Sequence, residues 1–122
     1  MHAICETFVF QRAAKEAGMT AEEVSSLVDY LARNPMAGDE IVGTGGCRKV
    51  RVAAASRNKG KSGGYRTITF FSGPELPLFL ITVFGKGDRA DLSQRERNAL
   101  GNMCKILTTE YRKKVVKVRV GA

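Results

Sequence analysis

Metal-binding side chains are scarce in this chain of 122 residues, and their scarcity limits the chemistry that it could perform. The only histidine is at position 2, and the three cysteines are too widely separated to form a CxxC metal pair or a disulfide framework. Asp88 and Asp91 are close in sequence, but we interpret them as solvent-exposed residues that precede a helix. We therefore predict no bound metal and no cofactor, and the free thiols favour a reducing cytoplasm.

Long hydrophobic runs are also absent. The longest, from Leu76 to Phe84, contains Pro77 and is too short to cross a bilayer. The chain length is near that of a typical domain, and the hydrophobic content of 43% is enough for a core. We expect one soluble, unprocessed domain that has no membrane partner.

Acidic residues are missing from positions 41 to 74, whereas the first 40 residues contain seven of them and only three Lys or Arg. The segment from Gly45 to Arg66 alone has seven Lys or Arg residues, and the whole chain has a formal net charge of +8. Because the positive charge is concentrated in one part of the chain, the expected ligand is a polyanion: RNA, DNA or an acidic protein.

Apolar periodicity and capping residues predict the secondary structure. Helical spacing and a capping box of Thr20 with Glu23 indicate a helical hairpin before the basic segment, and Ser93 with Glu96 indicates a last helix. Alternating apolar residues indicate strands. In chain order, we predict a short strand at 2–6, helices at 10–17 and 20–34, strands at 49–54, 65–72 and 78–84, the last of them central, and a helix from 93.

The glycine-rich segments do not complete a nucleotide-binding motif. Gly60, Lys61 and Ser62 imitate the end of a phosphate-binding P-loop, but the motif needs glycine at position 55, which is alanine, and a helix afterwards, where a strand is predicted. Likewise, Arg48 occupies the position of the last glycine in a dinucleotide fingerprint. We interpret these segments as a loop and a turn.

Four basic residues are the candidates for a reactive site. Lys49 and Arg51 share one face of a strand, Arg66 opens the next strand, and Lys86 follows the strand after that. In an antiparallel meander these side chains could converge on one phosphate group and stabilise the charge of phosphoryl transfer. Arginine binds phosphate through two hydrogen bonds, and a lysine crowded by cations can exchange protons. The alternative, which composition alone favours, is that the strands bind a polyanion without cutting it.

Three blocks of the chain stand in a characteristic order and separation: NPMAGDEIVGTGGCRKVRVA, GKSGGYRTITFF and LPLFLITVFGKGDRADLS. Together they resemble the HigB branch of the RelE/ParE toxin superfamily, with similarity from about residue 1 to 111. The resemblance implies a RelE-like α/β (α+β) fold, in which a helical hairpin and a C-terminal helix pack on a small, mostly antiparallel, twisted sheet. We therefore expect a toxin domain at 1–111 and a basic tail at 112–122, which is either an extra edge strand or disordered.

The resemblance also implies a function. Toxins of the RelE and HigB type enter the ribosomal A site and cut mRNA there without metal, through attack of the 2′-hydroxyl on the neighbouring phosphate. A cognate antitoxin holds such a toxin inactive. The implied partners are the ribosome and mRNA, a helix-turn-helix antitoxin, and operator DNA only through the antitoxin complex.

By position, Lys49 and Arg51 match the basic strand pair of the RelE-type site, and Arg66 matches the arginine after Gly-Tyr. The resemblance makes Lys49 the candidate general base, and it makes Arg51 and Arg66 the groups that stabilise the phosphate. Lys86 would act as the acid, in place of an arginine that the RelE pattern has at Gly87. These four residues form the predicted catalytic set.

Ser93 stands where the RelE pattern has a tyrosine that stacks on a base, so this contact is lost or is supplied by Tyr65, Phe71 or the ribosome. Further contacts to RNA or the ribosome are predicted at a set of mostly basic residues: Arg48, Arg57, Lys59, Lys61, Tyr65 and Arg89.

Two other functions stay open. A ParE-like toxin would inhibit DNA gyrase by protein contact and would not need these basic residues for RNA cleavage. A nucleic-acid-binding accessory protein without toxicity would need only the basic loop. The superfamily contains both cutters and inhibitors, so the fold alone does not decide between them.

Overall fold

Five strands and three helices make up the part of the chain that the computed structural model describes, which is residues 1–53, 64–85 and 92–121, with side chains as far as residue 112. Their order along the chain is β1 (Ile4–Glu6), α1 (Phe8–Ala17), α2 (Ala21–Arg33), β2 (Asp39–Glu40), β3 (Cys47–Val52), β4 (Tyr65–Phe70), β5 (Leu78–Gly85) and α3 (Gln94–Gly121).

Side-chain caps fix where the helices begin, as the sequence predicts. The backbone N–H of Glu23 donates to Thr20 Oγ1 at 3.1 Å, and the backbone N–H of Thr20 donates to Glu23 Oε1 at 2.9 Å, which completes the capping box of α2. Ser93 and Glu96 make the same pair of bonds at the start of α3. Helix α1 begins earlier than predicted because Thr7 caps it by accepting a hydrogen bond from the backbone N–H of Phe10.

The five strands form one sheet in the order β1-β5-β4-β3-β2. The β1–β5 pair is parallel and the other three pairs are antiparallel, so the mostly antiparallel sheet is confirmed. Strand β5 has a neighbour on each side, as predicted for a central strand. Strand β2 was not predicted, because two consecutive acids have little tendency to form a strand and only pairing with β3 holds them there.

Each face of the sheet is covered by different helices, which explains why β5 is apolar on both sides. Leu78, Leu80 and Val83 pack in one cluster with the α1–α2 hairpin, and Phe79, Ile81 and Phe84 pack in a second cluster with α3. The alternation of β5 residues between the two faces is displaced by one residue between Leu80 and Val83. The cause is a shift in the pairing register of β4 and β5 between Ile68 and Thr69. We call the two sides the hairpin face and the α3 face.

Helix α3 continues to Gly121. It includes the region for which the sequence predicts either an edge strand or a disordered tail. Neither alternative is correct for residues 112–121. Extending an existing helix costs little because each added residue gains one hydrogen bond, and valine lowers helix propensity only slightly. Whether 112–122 forms a unit separate from 1–111 stays a prediction. Among the described residues, no helix has both the length and the apolar character needed to span a membrane.

Candidate functional site

The pairing of β3 with β4 brings two arginines together. Arg51 and Arg66 are direct cross-strand partners, and Lys49 lies two residues from Arg51, opposite Ile68. Direct partners in an antiparallel pair project to the same face, with their Cβ atoms about 4.5–5.5 Å apart. Lys49, Arg51 and Arg66 therefore share one face of the sheet, and we call these three residues the basic triad. Their convergence with Lys86 on one phosphate stays a prediction.

The basic triad lies on the α3 face of the sheet. Ile68, opposite Lys49, and Phe84, opposite Arg66, both belong to the cluster packed against α3. Arg51 is exposed, whereas Lys49 and Arg66 are half-buried. The cationic groups are thus accessible, but they lie next to apolar side chains of the α3-face cluster. Electrostatic interactions are stronger in such surroundings than in bulk water.

Acidic side chains do not oppose the two arginines in the described strand pairs. The partner of Arg51 is Arg66, and the partners of Arg66 are Arg51 and Phe84, whereas Asp39 of β2 stands opposite Lys49. Like charges directly opposite each other destabilise a sheet. An anion bound from outside would relieve that repulsion, so this end of the sheet suits an anionic ligand.

Arg48 lies on the other face of β3, because neighbouring residues of a strand alternate in direction. Its Nη1 donates to the backbone oxygen of Gly38 at 3.2 Å, and its partners are Glu40 on β2 and Thr69 on β4. Gly38 has φ +94°, and a Cβ there would come within 2.6 Å of the backbone oxygen of Lys49. Arg48 therefore braces a turn that only glycine fits, and it does not join the basic triad.

Tyr65 is buried, which corrects its predicted role in binding RNA. Its side chain is 1% exposed and packs on the hairpin face, with its hydroxyl 3.4 Å from Glu23 Oε1. A ring in the core cannot stack on a base. The signal was present in the sequence, because Tyr65 and Arg66 are consecutive in a strand and must face opposite sides of the sheet.

Phe71, the other side chain named for base stacking, is also engaged. Phe71 is partly buried against the hairpin-face core, and its ring centroid is 4.9 Å from that of His2. Ser93 uses its hydroxyl oxygen to cap α3. In the described part of the chain, none of the side chains named for base stacking therefore offers a free ring beside the basic triad.

Several predicted residues fall outside the described segments. Lys86 comes next in sequence after Gly85, whose cross-strand partner Tyr65 precedes Arg66. The others are Arg57, Lys59, Lys61 and Arg89, together with Gly87. Their roles stay predictions. Among the described residues, no group of three or more His, Cys, Asp or Glu side chains is placed to hold a metal ion.

A groove of about 740 Å³ lies between α3 and the turn at 43–45. It reaches Phe70, at the opposite end of β4 from Arg66, so it is separate from the basic triad. Cys104 lines this groove, and its sulfur lies 3.2 Å from that of Cys47. The sequence does not predict either feature, because both depend on how α3 crosses β3.

The chain matches a family model over residues 2–120. The model describes the RelE toxin of the RelE / RelB toxin-antitoxin system. The match includes every strand and nearly all of α3, and it covers all three members of the basic triad. It also continues past residue 111, where the sequence similarity was expected to end.

Proposed function

We propose that this chain, which belongs to the RelE toxin family of toxin-antitoxin systems, is a ribosome-dependent mRNA endoribonuclease of the HigB branch that inhibits translation. The observation that carries the proposal is the basic triad, in which two arginines face each other across neighbouring strands with no carboxylate as cross-strand partner. A phosphate in an RNA chain is an anion that guanidinium groups bind through paired hydrogen bonds.

The proposed reaction uses the substrate's own nucleophile. Lys49 takes the proton from a ribose 2′-hydroxyl, and the oxygen attacks the neighbouring phosphorus. Arg51 and Arg66 stabilise the charge that develops on the phosphate oxygens. The bond to the 5′-oxygen breaks, Lys86 gives that oxygen a proton, and the products end in a 2′,3′-cyclic phosphate and a 5′-hydroxyl.

The requirement for the ribosome follows from what the described residues around the basic triad do not provide. Tyr65 is in the core and Ser93 caps a helix, so neither orients a base. Alignment of the 2′-oxygen with the scissile bond can contribute much of the rate of such a reaction. In this proposal the ribosome supplies that alignment by holding the mRNA, and RNA free in solution is cut poorly.

Membership of this family implies a cognate antitoxin. We expect a helix-turn-helix protein with an acidic segment that covers the basic triad, because opposite charges steer and fix such an interface. Operator DNA is then bound only by the toxin-antitoxin complex, and the free toxin acts in the cytoplasm, where the ribosomes are. Co-purification with the product of a neighbouring reading frame tests this part of the proposal.

The reaction is tested on ribosomes that translate a defined message. Primer extension should locate a cut in the ribosome-bound mRNA, and end-group analysis should find a 2′,3′-cyclic phosphate. A message with a single 2′-deoxynucleotide at the cut position is the matched control, and it should resist cleavage at that position. Cleavage of the deoxy message would contradict attack by the 2′-oxygen. Absence of any cleavage, together with inhibition of gyrase supercoiling, would instead indicate the ParE-like function.

A further inference from the structure

Cys47 of β3 and Cys104 of α3 are 57 residues apart in sequence, but their sulfur atoms are 3.2 Å apart in the fold. Both are free thiols, with exposed fractions of 0% and 3%. A disulfide has an S–S bond of about 2.05 Å, so the two sulfurs would have to approach by only about 1.1 Å to form one. The proposed RNA chemistry makes no use of this pair.

The surroundings hold Cys47 in place. Its backbone N–H donates to Thr44 Oγ1 at 3.1 Å, and the Thr44 hydroxyl donates to the backbone oxygen of Ile41 at 2.7 Å. A hydrogen bond from Cys104 lowers the pKa of Cys47 against the effect of burial, and the Thr44 hydroxyl lowers it further. The same contact between the two thiols raises the pKa of Cys104. Cys47 is thus the thiol that ionises more readily.

The thiol pair also has a path to solvent. Cys104 and Thr44 both line the groove of about 740 Å³ beside α3. The groove is much larger than a small oxidant such as hydrogen peroxide. Reactivity of a cysteine requires both thiolate character and access. Cys47 has the greater thiolate character but is 0% exposed, so peroxide has to reach its sulfur from the groove, past Cys104.

We propose that Cys47 and Cys104 form an oxidation site, at which hydrogen peroxide converts the two thiols into an intramolecular disulfide between β3 and α3. The Cys47 thiolate attacks one peroxide oxygen, the O–O bond breaks, and Cys47 sulfenic acid and one water form. The sulfur of Cys104 then attacks the sulfenic sulfur, the S–O bond breaks, and a second water leaves. Two electrons pass from the thiols to peroxide, and thiol reductants reverse the change.

The bond would tie α3 to the strand that carries the basic triad. Cys47, Lys49 and Arg51 alternate on one face of β3, so the cross-link fixes the helix two residues from Lys49. A cross-link between positions 57 residues apart removes much freedom from the unfolded chain. We therefore expect the oxidised protein to melt on the order of 10 °C higher than the reduced protein.

Peptide mapping of the full chain tests the proposal. The reduced protein is treated with hydrogen peroxide, the remaining thiols are alkylated in denaturant, and the digest is read by mass spectrometry. The expected product is a Cys47–Cys104 linked peptide with Cys5 alkylated, and dithiothreitol should restore all three thiols. Free glutathione in a parallel reaction shows that the peroxide is active. Linkage through Cys5, disulfide-linked dimers, or protein thiols that stay reduced while the glutathione is oxidised would each overturn the proposal.

Variants separate the two steps. Cys5→Ser is the matched control and should keep the cross-link. Cys104→Ser keeps a hydroxyl donor beside Cys47 and should stop at a Cys47 sulfenic acid that dimedone traps. Cys47→Ser is the second variant and should leave Cys104 unoxidised. Failure of dimedone to label Cys47 in folded Cys104→Ser, or a sulfenic acid on Cys104 in Cys47→Ser, would contradict the order of steps. None of these readouts involves the ribosome, so they can fail or succeed independently of the proposed function.

Discussion

The hairpin face and the α3 face of the sheet are built from alternating residues of the same strands, but they differ in what they leave accessible. On the hairpin face, α1 and α2 close over a cluster that includes Leu31 and Tyr65, both almost fully buried. On the α3 face, α3 packs on a cluster that includes Phe70 and Cys104 and leaves a groove beside it, while the other end of the sheet presents Arg51 and Arg66. Strand alternation therefore assigns each residue to one face of the sheet, and the helix cover of that face decides whether the residue is buried, as Cys47 is, or exposed, as Arg51 is.

The largest effect on stability should come from the closed face. Leu31 is 0% exposed, so Leu31→Ala removes packed methyl groups and should lower the free energy of unfolding by about 2–5 kcal/mol. Tyr30, the preceding residue of α2, is 51% exposed and supplies the control, because Tyr30→Ala should cost far less. Chemical denaturation measures both. Similar losses in the two variants would mean that α2 does not pack as described.

Two buried threonines, one on each face of the sheet, differ in their hydrogen bonds. Thr44, beside α3, makes two hydrogen bonds through its hydroxyl, so Thr44→Val should cost about 1–3 kcal/mol of unfolding free energy. Thr67 alternates with Tyr65 on the hairpin face and is equally buried, but its hydroxyl has no hydrogen-bond partner in the part of the chain described. Thr67→Val should therefore be neutral or stabilising. A large loss from Thr67→Val, measured by denaturation, would break this contrast.

The smallest effect on stability is expected at the basic triad. Arg66 is half-buried and faces Arg51, so Arg66→Ala removes a like-charge contact while it loses some packing of the side-chain stem. The free energy of unfolding should change by no more than about 0.5 kcal/mol, and the thermal midpoint should shift by a few degrees at most. A loss as large as that of Leu31→Ala would identify Arg66 as a structural residue.

Local signals in the sequence were sufficient for much of the fold. The capping boxes at Thr20 and Ser93 and the doubly apolar β5 depend on residues near one another in the chain, and each is present. The placement of Lys49, Arg51 and Arg66 on one face also follows from alternation and strand order. Such features are predictable because the interactions that specify them act over a few residues.

The remaining features depend on contacts between distant elements. Two acids form β2 only because β3 lies beside them, and Cys47 meets Cys104 only because α3 crosses the sheet. Tyr65 is a candidate for RNA binding in the sequence because Ser93 stands where the RelE pattern has a stacking tyrosine. Its burial depends on α1 and α2 covering that side of β4. Tertiary packing decides such cases, and local pattern does not.

Two arginine variants, compared on ribosomes that translate one message, test directly whether the basic triad is the site of cleavage. Arg66→Ala should lower the rate of mRNA cleavage on the order of 100-fold or more, because it removes a group that stabilises the developing phosphate charge. Arg33→Ala, at the exposed end of α2, removes the same charge from another surface and should leave the rate nearly unchanged, since solvent and salt screen a distant charge. The thermal midpoints of both variants should stay within a few degrees of the wild-type value. Equal rates for Arg66→Ala and the wild type, with the fold intact, would contradict the claim that the basic triad is the site of cleavage.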